Sequence, residues 1–155
     1  MFIYPTQRER TERNDPDAGV YRGKLIVVHR YPMKNGKPAI LLKWELDSYP
    51  NKDHIWEGTQ FFGLTNTGLL AKALSDWKKL RWEAFCSMGP NRQPYPEMFL
   101  NEEADLAITP PPPAGKIPMN VGKLFPPGEL VSRLADGTYV VNTEHPFIEE
   151  YYPNL

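Results

Sequence analysis

Three histidines, a single cysteine and two closely spaced carboxylates are the residues of this chain best equipped for catalysis. Their spacing does not assemble a centre. His29, His54 and His145 stand far apart, and no His-x-x-x-His or Cys-x-x-Cys step puts two metal ligands on one face of an element. Cys86 is expected just beyond a helix C-terminus, where the carbonyl end of the helix repels the negative charge of a nucleophilic sulfur. Glu45 and Asp47 lie two apart on one strand face with Lys43 beside them, a pattern that could hold a divalent cation in a nuclease. A solvated strand face carries the same residues routinely. "EGTQFFG" has neither the spacing nor the lysine of a phosphate-binding loop. The sequence therefore argues against an enzyme, and no metal or cofactor is expected.

Basic and aromatic side chains are the other group with chemistry to offer. Arg22, Lys24, Arg30, Lys43 and Lys52 fall on or beside the first strands, with Tyr31 and Trp56 interleaved. Proteins that bind single-stranded nucleic acid combine a basic groove with aromatic faces on which bases stack, each stack being worth about 1–3 kcal/mol. Trp44 has aliphatic face-mates and is expected in the core. Trp56 is expected to be partly exposed and to stack on a base, while Phe62 and Leu64 turn inward. Strict alternation puts Trp56 on the face of Phe62, so this reading needs a bulge at Gly58 to reverse the facing.

The elements that position these residues are short and mostly extended. "VYRGKLIVVHRY" reads as a β-branched strand with Leu25 and Val27 on one face. Asn35-Gly36 is a hairpin turn signal, and "AILLKWELD" returns with Ile40, Leu42, Trp44 and Leu46 on a common face. "IWEGTQFFGL" makes a third strand. Leu70, Ala73, Leu74, Trp77, Leu80 and Ala84 then recur at helical spacing, which predicts one helix over 67–85 capped by Asn66 or Thr67. Strands are expected in "MFLNEEADLAIT" and "KIPMNVGKLF", separated by a polyproline segment at Pro110 to Pro113 that acts as a spacer. A second hairpin turns at Asp136-Gly137. The organisation is a polar arm over 1–18, a domain over 19–128, and a hairpin with an acidic aromatic tail over 129–155. Phe147, Glu149, Glu150, Tyr151 and Tyr152 of that tail are candidates for contact with a protein partner.

Composition is consistent with this picture. Twelve of the 17 prolines follow Phe85, so the second half is expected to be turn-rich and poor in helix. Residues 1–85 carry fourteen Lys and Arg against ten Asp and Glu, and residues 86–155 carry four against nine. That asymmetry fits a basic binding half followed by an acidic one. One cysteine allows no intramolecular disulfide, which favours a reducing setting. No apolar run approaches the roughly 18 residues of a membrane span, and the N-terminus lacks a signal-peptide core. A soluble, cytoplasmic protein without a membrane partner is expected, and its oligomeric state stays open.

The order hairpin, strand, helix, strand, strand is that of a five-stranded oligonucleotide-binding barrel, a mostly β (α+β) fold with one helix between strands three and four. "KPAILLKWELD" followed by "IWEGTQFFGLTNTGLLAKALSDWKKLRW" resembles the single-strand-binding-like proteins encoded by phages and mobile elements. The residues that carry the resemblance are Trp44, Glu45, Leu46, Leu64, Thr65, Leu69, Leu74 and Trp77, within about residues 19–85. It implies non-enzymatic, sequence-tolerant binding of single-stranded DNA in replication or recombination, in a bacterial host's cytoplasm. The same comparison implies an acidic tail that recruits a partner, although a tail packed on the domain or on a neighbouring subunit fits the residues equally. The proline-rich segment and second hairpin have no counterpart in that pattern. Extended proline-rich arms and aromatic ends at both termini fit the alternative, an assembly component of a phage particle or similar complex that reaches across neighbouring subunits.

Overall fold

The structure, a computed structural model, describes residues 16–32, 38–64, 67–92, 95–110 and 119–155. Three strands come first, β1 (Gly19–Pro32), β2 (Pro38–Leu46) and β3 (Glu57–Gly63). Helices α1 (Gly68–Lys78) and α2 (Trp82–Met88) follow, then one-turn 3-10 segments at Pro90–Arg92 and Pro96–Phe99. Strands β4 (Glu103–Ile108) and β5 (Val121–Phe125) precede a short pair, β6 (Val131–Arg133) and β7 (Tyr139–Val141), and helix α3 (Pro146–Tyr151). Most of residues 1–18, the Asn35-Gly36 turn and Pro111 to Pro113 lie outside the described residues.

The fold is mostly β. Five strands form one antiparallel sheet in the order β3-β2-β1-β4-β5, curled into a half-barrel. Its edges approach at Asn120, whose Oδ1 accepts from Thr59 N–H (2.8 Å) while its own N–H donates to Thr59 O (3.2 Å). Period-two alternation turns Ile40, Leu42, Trp44 and Leu46 inward, and all four are buried as their spacing predicts. Helix α1 lies over this interior through Leu70, Leu74 and Trp77, the apolar positions of its inner face. Trp44 and Trp77 meet edge to face, with centroids 5.0 Å apart. Both indole N–H groups are satisfied, Trp44 donating to Gln60 Oε1 and Trp77 to Glu103 O, each at 2.9 Å.

The register corrects two expectations. The bulge is in β1, where Leu25 faces Trp44 but Val27 faces Lys43, leaving Ile26 as the extra residue. Beyond it Val28, not Val27, packs on the core. Strand β3 pairs without a break from Gly63 to Glu57, so Gly58 marks no bulge. Its glycine answers a different need: a Cβ there would stand 2.7 Å from Val121 Cγ2, where β3 and β5 face each other. With no reversal, Trp56 keeps the inward parity of Gln60 and Phe62.

A third correction concerns the helix. The chain leaves α1 at Lys79, which adopts φ 57° and ψ 32° with its N–H donating to Ser75 O, and Arg81 is extended before α2 begins. No glycine or proline announces this break. Tertiary packing drives it, because the turn brings Phe85 onto Phe99 (5.6 Å), which in turn meets Trp77 (5.3 Å). Cys86 consequently lies within α2, half-buried, rather than beyond a helix end.

The C-terminal segment builds a second core from Leu130, Val131 and Ile148 against Val20 and Phe125 of the sheet. Asp105 on β4 is its anchor. The fully buried carboxylate accepts from the N–H groups of Gly128, Leu130 and Val131 (3.0, 2.8 and 2.9 Å) and from Arg22 Nε (2.6 Å). The β6–β7 turn forms where Asp136-Gly137 predicts it, with Gly137 at φ 87°.

Candidate functional site

That anchor holds the β6–β7 hairpin beside the turn that follows β2, and a cleft of about 700 Å³ lies between them. Three cations line it: Lys24 from β1, Lys52 from the β2–β3 connection and Arg133 from the end of β6. Asp47 and Glu103 also line it. Lys24 is on the outward face of β1, in register between Glu45 on β2 and Glu103 on β4. The turn is fixed to β1 by Ser48 Oγ, which accepts from Arg22 N–H at 2.8 Å. Lys52 Nζ donates to the main-chain oxygen of Asp47. Arg133 stands 5.3 Å from the Tyr139 ring centroid, and the Tyr139 hydroxyl is buried with no hydrogen-bond partner among the described residues.

From the wall of this cleft a ladder of rings runs outward. Tyr21 meets Tyr49 at 5.2 Å, Tyr49 stacks on Trp56 at 4.6 Å, and Trp56 meets His54 at 4.1 Å. The ladder ends at the exposed His54, where a smaller cleft of about 240 Å³ shares Asp47 and Lys52 with the first. Burial pushes the Asp47 carboxyl above its usual range; Lys24 opposes this, and Glu45 and Glu103 add to it. No hydrogen bond or ion pair reaches that carboxylate among the described residues.

Of the nucleic-acid-binding candidates named from the sequence, Lys24, Lys52 and Trp56 come together here, and Asp47 and His54 join them. Arg22 does not, and this is a correction: it is 5% exposed, with Nε on Asp105, Nη1 on Glu103 (3.3 Å) and Nη2 on Val131 O (2.6 Å). A guanidinium so engaged is structural. Arg30 forms a two-point pair with Glu97 (2.7 and 2.9 Å), and Lys43 faces Glu57 at 3.6 Å. Both lie away from the cleft. Tyr31 pairs with Ala39 at the end of β1, and its side chain is outside the described part of the structure. Trp56 is partly exposed, as expected, but its ring packs against the core and between Tyr49 and His54 in the ladder, and no bulge at Gly58 sets its facing. In the tail, Phe147 packs on Phe125 (4.9 Å) and the Tyr152 hydroxyl donates to Ile108 O (3.0 Å), while Glu149, Glu150 and Tyr151 are exposed.

Tyr49, His54, Arg133 and Tyr139 escaped sequence reasoning. Arg133 and Tyr139 flank a hairpin that was legible, but its docking beside Lys24 depends on Asp105, far away in the chain. A second groove, of about 480 Å³, lies at the β3–β5 seam and is largely apolar, with Leu69 75% and Met119 46% exposed. Among the described residues no group of three or more His, Cys, Asp or Glu side chains is placed to hold a metal ion. No described helix is long and apolar enough to cross a membrane. A scan against models of known protein families finds no match to this chain, and a search of curated protein sequences finds none either.

Proposed function

We propose that the protein binds single-stranded nucleic acid, DNA in the first instance, along the cleft between the β2–β3 connection and the β6–β7 hairpin, without catalysis. The observation that carries this reading is the convergence of Lys24, Lys52 and Arg133 beside a ring ladder that surfaces at His54. Phosphates sit near the cations, and a base extends the ladder on the outer face of His54, so His54 takes the stacking role expected of Trp56. Strand connectivity adds support. β1 pairs with β2 and β4, β3 approaches β5, and helices α1 and α2 fall between β3 and β4, an order shared with five-stranded oligonucleotide-binding barrels. Together with the resemblance over residues 19–85, this favours a role in replication or recombination of a phage or mobile element. Glu149, Glu150 and Tyr151 remain accessible to a protein partner.

Binding of this kind is weakly basic. Asp47 and Glu103 offset two of the three cations, so sequence-tolerant affinity is modest and salt-sensitive. Three phosphate contacts give a slope of log K against log salt of about −2, or roughly twenty-fold between 50 and 200 mM salt. Titrating a fluorescent oligonucleotide across that range tests the reading. Lys52→Ala and Arg133→Ala should each flatten the slope by about 0.7. A salt-independent affinity, or no binding at the lowest salt, would overturn it. The second reading, an assembly component, then takes over; the exposed Leu69 and Met119 at the seam favour it.

A further inference from the structure

The cleft asks for more than an anion. Beside its three cations lies Asp47, half-buried and with no hydrogen-bond donor among the described residues. A carboxylate kept in a partly dehydrated cleft is an acceptor waiting for donors, and its two oxygens accept two parallel N–H groups best. The ligand must therefore carry negative charge for Lys24, Lys52 and Arg133, and an N–H-bearing edge for Asp47, close together on one molecule.

Bases differ sharply in what they can offer a carboxylate. Guanine presents N1–H and the 2-amino group side by side on its Watson–Crick edge, which matches a carboxylate in a two-point arrangement. Thymine presents N3–H between two carbonyl oxygens, which repel a carboxylate. Cytosine and adenine each set an amino group beside a ring nitrogen that also repels it. Single strands expose these edges, whereas a duplex hides them.

We infer that Asp47 reads a base in this cleft, accepting from N1–H and the 2-amino group of a guanine in a single strand whose phosphates contact Lys24, Lys52 and Arg133. The inference rests on the cleft being a single-strand site. It gives the otherwise sequence-tolerant cleft one preferred base. The raised affinity of Asp47 for its proton fits the same role, since a carboxylate held against its own solvation preference is a common mark of a functional group. Burial, Lys24, Glu45, Glu103 and Lys52 all act on it, and none of them donates to its carboxylate.

The test compares three short labelled strands at fixed salt near neutral pH: all thymine, the same strand with one central guanine, and the same strand with hypoxanthine at that position. Hypoxanthine keeps N1–H and lacks the 2-amino group. Wild type should bind the guanine strand roughly tenfold more tightly than the thymine strand, with hypoxanthine between them. Asp47→Asn should bind the thymine strand more tightly than wild type does, because a carboxylate near the phosphates is gone, and should lose most of the guanine preference. If the variant fails to fold, the guanine-to-hypoxanthine comparison on wild type still decides. Equal binding of all three strands by wild type overturns the role of Asp47 and leaves the cleft reading intact. No binding of any strand at low salt overturns the cleft reading itself.

Discussion

Replacing Asp105 with alanine removes the side chain that ties the C-terminal segment to the sheet. Four donors converge on its carboxylate, three main-chain N–H groups between Gly128 and Val131 and the Nε of Arg22. Arg22 is itself buried, so alanine leaves a cation without its main counter-charge in a site that water reaches poorly. Breaking a buried pair from one side costs about 3–5 kcal/mol, and each N–H left unpaired adds a further penalty of about 1–3 kcal/mol unless water enters. Glu103 and Val131 O still hold the guanidinium, and local opening admits solvent, so about 4 kcal/mol is the expected loss. For a domain of this size, with a urea m-value near 2 kcal/mol/M, that moves the unfolding midpoint down by about 2 M. The measurement is urea unfolding followed by far-ultraviolet circular dichroism, with amide exchange over residues 126–152 alongside. Exchange in that segment should quicken before the sheet opens. A midpoint within about 0.5 M of wild type, at unchanged slope, would show that Asp105 does not hold the C-terminal segment to the sheet.

Leu74, on the inner face of α1, is fully buried, so Leu74→Ala should lower stability by about 2–5 kcal/mol in the same urea assay; an unchanged midpoint would contradict the packing described. Deleting Phe147 to Leu155 removes the buried Ile148 and the Tyr152–Ile108 hydrogen bond, so the truncated chain should lose at least about 3 kcal/mol, whereas a tail serving recruitment alone would leave the midpoint intact. Two carboxyls should move stability in opposite directions with pH. Burial pushes Glu97 up, but hydrogen bonds from Arg30 and its own backbone outweigh this and leave it below its usual value. Its contribution is therefore present above the ordinary carboxyl range and lost as pH falls through the lowered value, and Glu97→Gln should be destabilising at pH 7 and neutral at pH 2. Asp47 is raised, so the charged form works against folding: its contribution is favourable only at low pH and is lost as pH rises through the raised value. Asp47→Asn should accordingly raise the melting temperature at pH 7, with the gain vanishing in acid.

Much of the barrel-like half of the molecule was legible, because alternation is a local signal. Ile40, Leu42, Trp44 and Leu46 read as one face and form one wall of the core. Leu70, Leu74 and Trp77 read as a helix face and are one. What failed was set by contacts distant in sequence. Gly58 looked like a bulge, yet its lack of a side chain serves the approach of Val121. Lys79 sits in a left-handed turn that Phe85 and Phe99 impose from outside the helix. Arg22 looked like one more surface cation, and its partner Asp105 was invisible as such because pairing β1 with β4 joins residues 83 apart. The same limit explains the site. Lys24 and Lys52 carried a visible signal, while Arg133 and Tyr139 reach the cleft only because Asp105 docks their hairpin.

The proposed function places a single strand between the β2–β3 connection and the β6–β7 hairpin. Backbone amide NMR spectra recorded during titration with a short single-stranded oligonucleotide at low salt test it most directly. Shifts should cluster at residues 47–56, at Lys24 and at residues 133–139, and added salt should reverse them together. Shifts gathered instead around Leu69, Phe62 and Met119 at the seam, or a spectrum that does not change, would contradict it.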